Sequence, residues 1–499
     1  MTSKSLSLTP AESLLQKCLL ACSSELPSPP TLRFTGGWVR DKLLGVPSHD
    51  IDVALSNMTG FEFGRHLKSY IDGHWAVYES EAQELGIKAQ LSGLHQIAAN
   101  PEKSKHLETV TTRLFGFDLD FVNLRKETYS EDSRNPKMEF GTPEEDALRR
   151  DATVNALFYN LHTREVEDFT SQGLQDMNSK VIRTPLAPYQ TFKDDPLRVL
   201  RLIRFASRLG YEIEQSSLAA MKDPKIHDAL RLKISRERVG IEVEKMVTGP
   251  DPRRALILIH DLDLYPCVFG DLGDQIPTAV VIDLPGLYDE LQKILQSNSA
   301  AIDVLNLKEA DGTPWYLAAY TPFSASDSDR AASVLREALK VPNLLTNLLN
   351  LSIRNRPQIQ DLVFSAWVTS PPASPNVEPE TEPFVRSKFG MPIRNMGRTW
   401  RLQILYSMLA DMSDKRASVY VIERYSKLLA YIRDSMLEDV ADLRPIVNGR
   451  QIVEAMGVKT GRWMTRALEM VMTWQLDHPD GEVGEVLEML RGRRRELGI

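Results

Sequence analysis

The chain has 499 residues, length enough for roughly two to four domains with substantial cores. With 42% hydrophobic and 26% charged residues it has the composition of an ordinary water-soluble globular protein. A net charge of −8 and a pI near 5.7 exclude a uniformly basic nucleic-acid binder but leave room for a local basic groove, and three cysteines, Cys18, Cys22 and Cys267, exclude a disulfide framework or a CxxC zinc site.

Thr9-Pro10 followed by Glu12 to Cys22 reads as a cap and a helix, broken by Pro27, Pro29 and Pro30. Cys18 and Cys22 on that helix read as small buried apolar residues. The stretch from Met1 to about Leu32 has no arginine and carries Glu12 and Glu25, so it is a poor secretory signal and a weak mitochondrial presequence; a reducing intracellular compartment is expected. No apolar run reaches the roughly 18 residues of a membrane span.

From Leu32 the pattern changes to short strands: Leu32 to Thr35, Asp50 to Leu55, and the pair Leu107 to Leu114 and Phe117 to Leu124, joined around Gly116, with apolar and polar residues alternating. Gly60 to Tyr70 reads as a helix between them. Residues from about 33 to 170 therefore read as α+β with a mostly antiparallel sheet. The polar stretch Lys126 to Asp146, with Ser133, Asn135 and Pro136, reads as an exposed loop. After Pro188 strand signals largely stop; Leu197 to Leu209 and Arg236 to Val247 carry apolar residues at helical spacing, and most of the remainder continues this way. Thr369 to Pro383 holds five prolines with Glu378, Glu380 and Glu382, and reads as a solvated linker or exposed loop.

Thr35-Gly36-Gly37-Trp38-Val39-Arg40-Asp41 follows a strand and opens a helix. Glycines at such a turn let the backbone approach a ligand, the N–H groups there can cradle phosphate oxygens, and Arg40 would add a cationic fork for a triphosphate. Asp50-Ile51-Asp52 places two carboxylates on one face of a strand while Ile51 turns to the core. Clustered carboxylates in an apolar strand call for a cation, and divalent ions held this way are the usual apparatus of nucleotidyl transfer. Asp120, alternating with Phe121 on its strand, is taken as a third carboxylate, with Asp118 on the same face competing for the role.

These residues resemble the first motif of the class II branch of the polymerase-β-like nucleotidyltransferases, which holds CCA-adding enzymes and bacterial poly(A) polymerases. Later stretches are similar to the family's other motifs in order: Arg149-Arg150-Asp151-Ala152-Thr153-Val154-Asn155-Ala156; Asp168-Phe169-Thr170 with Gly173, Asp176 and Ile182-Arg183-Thr184-Pro185; Asp194-Asp195-Pro196-Leu197-Arg198, which resembles an EDxxR box with Asp194 in place of its usual Glu; and Ser235-Arg236-Glu237-Arg238 through Glu242. Asn448-Gly449-Arg450 and Gly457 to Gly461 continue the likeness more weakly.

The resemblance implies an α+β fold: a mostly antiparallel nucleotidyltransferase head at 33–185 after a helical extension at 1–32, a helical neck at 186–275, and an all-α body and tail at 276–499, with the Pro-rich loop at 369–383. It implies catalysis by Asp50, Asp52 and Asp120, with Mg²⁺ on Asp50 and Asp52, and nucleotide binding by Gly36, Gly37, Arg40, Arg150, Asp151, Asp195, Arg198, Arg201 and Arg204. In this scheme Asp195 and Arg198 read the base. Cytosine and adenine both offer an exocyclic NH₂ donor beside a ring-nitrogen acceptor, which a carboxylate and a guanidinium match, while uracil and guanine reverse the order. Arg150 and Asp151 would bind the ribose hydroxyls, Asn155 would support their loop, and Arg201 and Arg204 would wall the nucleotide pocket. The partners implied are tRNA lacking its CCA end, CTP and ATP. Candidate tRNA phosphate contacts are Arg394, Arg398, Arg401, Arg450, Lys459, Arg462, Arg466 and the run Arg491 to Arg495. No membrane association is expected, a monomer is expected, and the compartment is cytoplasmic by default with nuclear and mitochondrial pools open.

Two rival readings share these residues. A poly(A) polymerase would use the same metal site with a pocket for A alone, and a catalytically silent RNA-binding homologue would keep the fold without the chemistry. The converging Asp50 and Asp52 argue against the second. A small-molecule adenylyltransferase leaves the long helical body unexplained.

Overall fold

The first helix begins where the sequence sets a cap. In this computed structural model Thr9 Oγ1 accepts from Glu12 N at 3.3 Å and Thr9 N donates to Glu12 Oε2 at 2.6 Å, a reciprocal capping box in front of α1 (Pro10–Ser24). The structure describes residues 6–89, 95–97, 109–130, 133–270, 283–307, 311–369, 385–413 and 418–499. Packing divides the chain into two units, Met1–Arg238 and Val239–Ile499.

In the first unit β1 (Leu32–Thr35) leads through a glycine turn into α2 (Gly37–Leu43) and then to β2 (Asp50–Leu55). A second capping box, Thr59 with Glu62, starts α3 (Gly60–Glu84), which runs on past Tyr70 because the apolar stripe of Phe63, Leu67 and Ile71 continues into buried Tyr78 and Ala82. Next come β3 (His95–Ile97), β4 (Thr109–Leu114) and β5 (Phe117–Asn123); of the expected Leu107 to Leu114 strand, residues 107 and 108 lie outside the described residues. The β4–β5 hairpin turns on Phe115 and Gly116, both at positive φ (52° and 87°), as a tight two-residue turn requires. Phe115 holds this backbone because its ring is buried beside Tyr78, with ring centroids 6.2 Å apart.

The stretch from Lys126 to Asp146 is not a loop. It forms β6 (Arg125–Ser130) and β7 (Ser133–Phe140), a separate antiparallel pair, followed by α4 (Pro143–Leu148) under a third capping box, Thr142 with Glu145. The hairpin lies in a sheet of its own, so its strands carry no apolar alternation; opposed charges such as Lys126 and Glu139 sit in register instead. With β8 (Phe158–Asn160) and β9 (Glu165–Glu167), the main sheet has the order β3-β4-β5-β2-β1-β8-β9. All its pairings are antiparallel except β2 with β5, which is parallel and sets Asp50 beside Asp118 and Asp52 beside Asp120. Helices α5 (Gly173–Ser179), α6 (Pro188–Asp194) and α7 (Leu197–Leu209) follow, and further helices lead to α10 (Arg236–Val247) by way of α8 (Gln215–Met221) and α9 (Pro224–Lys233).

Among its described residues the second unit contains helices and no strand. Two tyrosines buried in its core bond carbonyls through their hydroxyls: Tyr320 Oη donates to Phe269 O at 3.1 Å and Tyr406 Oη to Tyr320 O at 3.2 Å. Its last helices close over Val447, Ile452, Trp463, Val471 and Leu490. The Pro-rich stretch from Thr369 to Pro383 lies, beyond Thr369 itself, outside the described residues. No helix among the described residues is long and apolar enough to cross a membrane.

Candidate active site

Three short strand segments meet at one place. Thr35, at the end of β1, is in register with Asp52 of β2, and Asp52 is in register with Asp120 of β5. Ile51 is buried and both Asp50 and Asp52 lie on the open face, as the two-residue period of a strand demands. Gly36, directly after Thr35, has φ 74° and ψ −133°, and a Cβ placed on it would lie 3.5 Å from Asp52 Oδ2 and 3.0 Å from Arg150 Nη1. The glycine turn therefore abuts Asp52, and a side chain there would have to displace the tip of Arg150.

Asp52 is reachable by water, yet protein and charges ring it. Its carboxyl is raised above the ordinary aspartate value, first by burial, with the neighbouring Asp120 and Asp50 charges adding and Arg150 and Arg125 opposing. Asp120 accepts from Thr111 Oγ1 of β4 at 2.8 Å, while Asp118 pairs with Arg113 at 3.4 Å, each across the hairpin register. The two candidates for third carboxylate thus differ: Asp120 sits beside Asp52 and is held by a hydroxyl of β4, whereas Asp118 is paired with a cation of that same strand.

A cluster of arginines and carboxylates adjoins the sheet. Asp146 is 2% exposed; it accepts from Arg149 Nε at 2.9 Å and from Arg150 Nε and Nη2 at 3.2 and 3.0 Å. Arg150 also donates to Thr35 Oγ1 at 2.8 Å and to Asn155 O at 3.1 Å, and stacks 5.1 Å from the Phe158 ring centroid. Arg125 is pushed down to about 10 by burial and by Arg149, with Glu127 and Asp146 pulling the other way. Burial alone would raise the Asp151 carboxyl; Arg201, whose Nε donates to Asp151 Oδ2 at 2.6 Å, and Asn155 hold it at about 2 instead.

Against known proteins, residues 32–183 match the model described as the Poly A polymerase head domain. The chain is 38% identical to nucleotidyltransferase lcsQ of Purpureocillium lilacinum, over 97% of this chain and 91% of that protein. It is also 38% identical to the mitochondrial CCA tRNA nucleotidyltransferase of Candida glabrata, over 93% of this chain and 90% of that one. The chain belongs to the CCA tRNA nucleotidyltransferase family. Its fold is that of solved CCA-adding enzymes: a structure of one in complex with CTP superposes with a TM-score of 0.66 at 19% identity, covering 99% of each chain.

Within this nucleotidyltransferase head the expected site residues fall into groups. Gly36, Asp50, Asp52 and Asp120 are brought together, with Arg150 behind the turn. Gly37 follows in α2, where an added Cβ would lie 3.6 Å from Arg40 Nη2. Arg40 is 3% exposed, donates through Nε and Nη2 to Asp41 Oδ1 at 2.8 and 2.7 Å, and its Nη1 donates to Asn155 Oδ1. Burial lowers its pKa and Asp41 opposes that. Along α7 the arginines diverge: Arg198 Nη2 donates to Arg149 O at 2.6 Å, Arg201 turns to Asp151, and Arg204 lies 4.5 Å from the Phe205 ring centroid. Asp195, between α6 and α7, accepts from Leu197 N at 3.2 Å and faces Arg238. Asp194 accepts from Gln190 Nε2 at 2.6 Å, one turn back along α6.

The stretch from Asp168 to Arg183 is a brace. Thr153 Oγ1 donates to Asp176 Oδ2 at 2.7 Å and Thr153 N to Arg183 O at 2.9 Å, which pins the loop that carries Arg150 and Asp151. In the second unit Arg394 donates to the carbonyls of Val440 and Leu443, and Arg401 to those of Val304 and Glu438, so these two tie chain segments together. Arg398 is exposed and paired with Asp442 at 2.8 Å, and Arg450, Lys459, Arg462 and Arg466 are exposed.

Sequence reasoning missed Thr35, Thr111, Glu127 and Asp146. Thr111 was within reach: with Phe115 and Gly116 as the turn, counting back along β4 places it opposite Asp120. Glu127 gave no such signal, and the spacing of Asp146 to Arg149 and Arg150 fits a solvated surface pair as well as a buried one, because acidic residues in a polar stretch read as solvated.

The carboxylates can be tested for a metal. Among the described residues no group of three or more His, Cys, Asp or Glu side chains is placed to hold a metal ion. Asp50 and Asp52 present an open pair, which fits Mg²⁺, an ion held by one or two carboxylates plus water and substrate phosphates, better than it fits a metal that needs a closed protein cage. Burial first, and the neighbouring Asp120 and Asp50 charges after it, raise Asp52, and a bound cation would offset both.

Proposed function

We propose that this protein completes the 3′ end of tRNA lacking CCA, adding C, C and A from CTP and ATP with release of pyrophosphate and no nucleic-acid template. The observation that carries the reading is the register Thr35–Asp52–Asp120 at the foot of the Gly36 turn. In each cycle the terminal hydroxyl of the tRNA attacks the α-phosphorus of the nucleotide, the bond from that phosphorus to the β-bridging oxygen breaks, and pyrophosphate leaves. Asp50 and Asp52 would hold a divalent ion, Mg²⁺ in our reading, which when bound would acidify the attacking hydroxyl and neutralise triphosphate charge. Asp120 accepts from Thr111 at Oδ1, and its Oδ2 would accept the proton of the attacking hydroxyl. Gly36 and Gly37 let the triphosphate approach the backbone, and Arg40, anchored by Asp41 and Asn155, supplies positive potential beneath that turn.

Asp195 and Arg198 read the base, Arg150 and Asp151 shape the ribose side of the pocket, and Arg201 and Arg204 close its wall. Residues 33–185 serve as catalytic head, 186–275 as base-reading neck, and 276–499 as the tRNA-holding body and tail, after the helical extension at 1–32. We propose a monomer working in the cytoplasm, with a nuclear pool and, as the Candida glabrata relative's name suggests, a mitochondrial one.

The test is incubation with tRNA lacking CCA, CTP and ATP, with products resolved to single nucleotides. Growth that halts after three residues supports the reading, and an A homopolymer sinks it. Asp52→Asn is expected to abolish transfer while tRNA binding by filter retention stays near wild type; an active Asp52→Asn enzyme would refute the metal assignment.

A further inference from the structure

We infer that Arg238 is a positioning residue that orients the base-reading carboxylate and so sets the choice of C and A over U and G; this rests on the reading of Asp195 given above. Arg238 lies in the first turn of α10, far in sequence from the box it serves, and its Nη2 stands 3.6 Å from Asp195 Oδ2. The other oxygen, Asp195 Oδ1, accepts the backbone N–H of Leu197 at 3.2 Å. The carboxylate is thus gripped from two directions, by an amide within its own turn and by a cation from a separate helix.

The kind of grip matters. At 3.6 Å the contact with Arg238 is an ion pair rather than a hydrogen bond, so it draws Oδ2 toward α10 without occupying a lone pair, while the Leu197 amide anchors Oδ1. Oδ2 keeps its capacity to accept from the exocyclic NH₂ of cytosine or adenine. The side chains of Arg238 and Asp195 are 31% and 24% exposed, so the pair stays within reach of a solvent-borne ligand. Arg198, the partner reader, is held differently: its Nη2 donates to Arg149 O at 2.6 Å, and its guanidinium lies 3.9 Å from Glu127. The two halves of the base pattern are therefore oriented by separate supports. Losing Arg238 loosens the half that reads the NH₂ group and leaves the half that reads the ring nitrogen in place. A carboxylate free to rotate can swing away from the keto oxygen of uracil or guanine instead of repelling it, and discrimination falls.

The experiment measures kcat and KM for CTP, ATP, UTP and GTP on tRNA lacking the relevant 3′ residues, for wild type, Arg238→Ala, Arg238→Lys and Asp195→Asn. Arg238→Ala is expected to raise KM for CTP and ATP more than it lowers kcat. It should narrow the CTP/UTP and ATP/GTP ratios of kcat/KM by about tenfold, the size expected within one salt-bridge network. Arg238→Lys, which keeps the charge, should recover part of that ratio; if Arg238→Ala fails to fold, Arg238→Lys against Arg238→Gln carries the same comparison. A purely structural role would lower all four nucleotides together, and unchanged ratios in Arg238→Ala with altered ratios in Asp195→Asn would overturn this inference while leaving the base reader standing. Unchanged ratios in Asp195→Asn would overturn both.

Discussion

Gly36→Ala tests the site at its tightest point. The backbone there has φ 74° and ψ −133°, a region that glycine enters freely and alanine does not, at a cost of about 1–3 kcal/mol. The new methyl would stand 3.0 Å from Arg150 Nη1. A free arginine tip could move aside, but this one is held by Thr35, Asp146 and Asn155, so relief comes only by breaking contacts that fix the site. Gly45→Ala is the control: its φ is 73°, and nothing lies within 4 Å of the added Cβ. It carries backbone strain without the collision. A loss of 1–3 kcal/mol in a unit of this size lowers the melting temperature by roughly 2–12 °C. Thermal unfolding and single-nucleotide CMP incorporation should show Gly36→Ala less stable and at least about a hundredfold slower, since misplacement near 1 Å has that effect on transfer. Gly45→Ala should lose a little stability and almost no rate. Equal rates in the two variants would refute the argument that the glycine turn and the carboxylates form one site.

Asp146→Ala removes the buried partner of Arg149 and Arg150 and should destabilise the protein by about 3–5 kcal/mol in denaturant titration, with Asp146→Asn milder. Asp120→Asn should reduce turnover by about a hundredfold or more, and Asp118→Asn, which loses only a half-exposed pair with Arg113, by less than about tenfold; the reverse ranking would transfer the third-carboxylate role to Asp118. Because the Asp52 carboxyl is raised on folding, the native state takes up a proton that the unfolded chain has released, and stability falls as pH rises from the ordinary aspartate range through the raised value. In chelator, Asp52→Asn should therefore be more stable than wild type at neutral pH, with the gap closing in acid below the ordinary aspartate value; equal stability at pH 7 would count against the crowding of Asp50, Asp52 and Asp120.

How much of this was legible depends on how far apart the cooperating residues lie in the chain. The Thr9–Glu12 cap, the Asp50-Ile51-Asp52 alternation and the strands either side of Phe115-Gly116 are local matters, and the bounds of α1, β1 and β2 follow them closely. The parallel alignment of β2 with β5 is not local. No spacing announces that Asp52 will face Asp120: strand alternation made Asp120 a candidate third carboxylate but left Asp118, on the same face, competing with it. Arg40 shows the same limit from the other side. Next to a glycine pair, an arginine reads as a reach toward phosphate, yet here Asn155, 115 residues away, accepts from Nη1, and Asp41 holds the rest of the fork.

Burial explains the residues that were missed. Asp146 stands in a run of acidic residues, Glu144-Glu145-Asp146, where Glu145 does what the pattern predicts and caps α4 from the surface. Asp146, the next residue, points inward, and it can do so only because Arg149 and Arg150 stand three and four positions on, over the same face of the turn. A buried carboxylate is tolerable when cations meet it with hydrogen bonds, so the arginines that mark the family motif also make Asp146 possible. The signal lay in the spacing of Asp146 to Arg149-Arg150, an acid followed by two cations on one helical face. That spacing has two outcomes, a solvated surface pair or a buried clamp. What decides here is the apolar cluster of Ala54, Ala147 and Phe158: Ala147, next to Asp146, is buried in it, and Arg150 lies over its Phe158 ring.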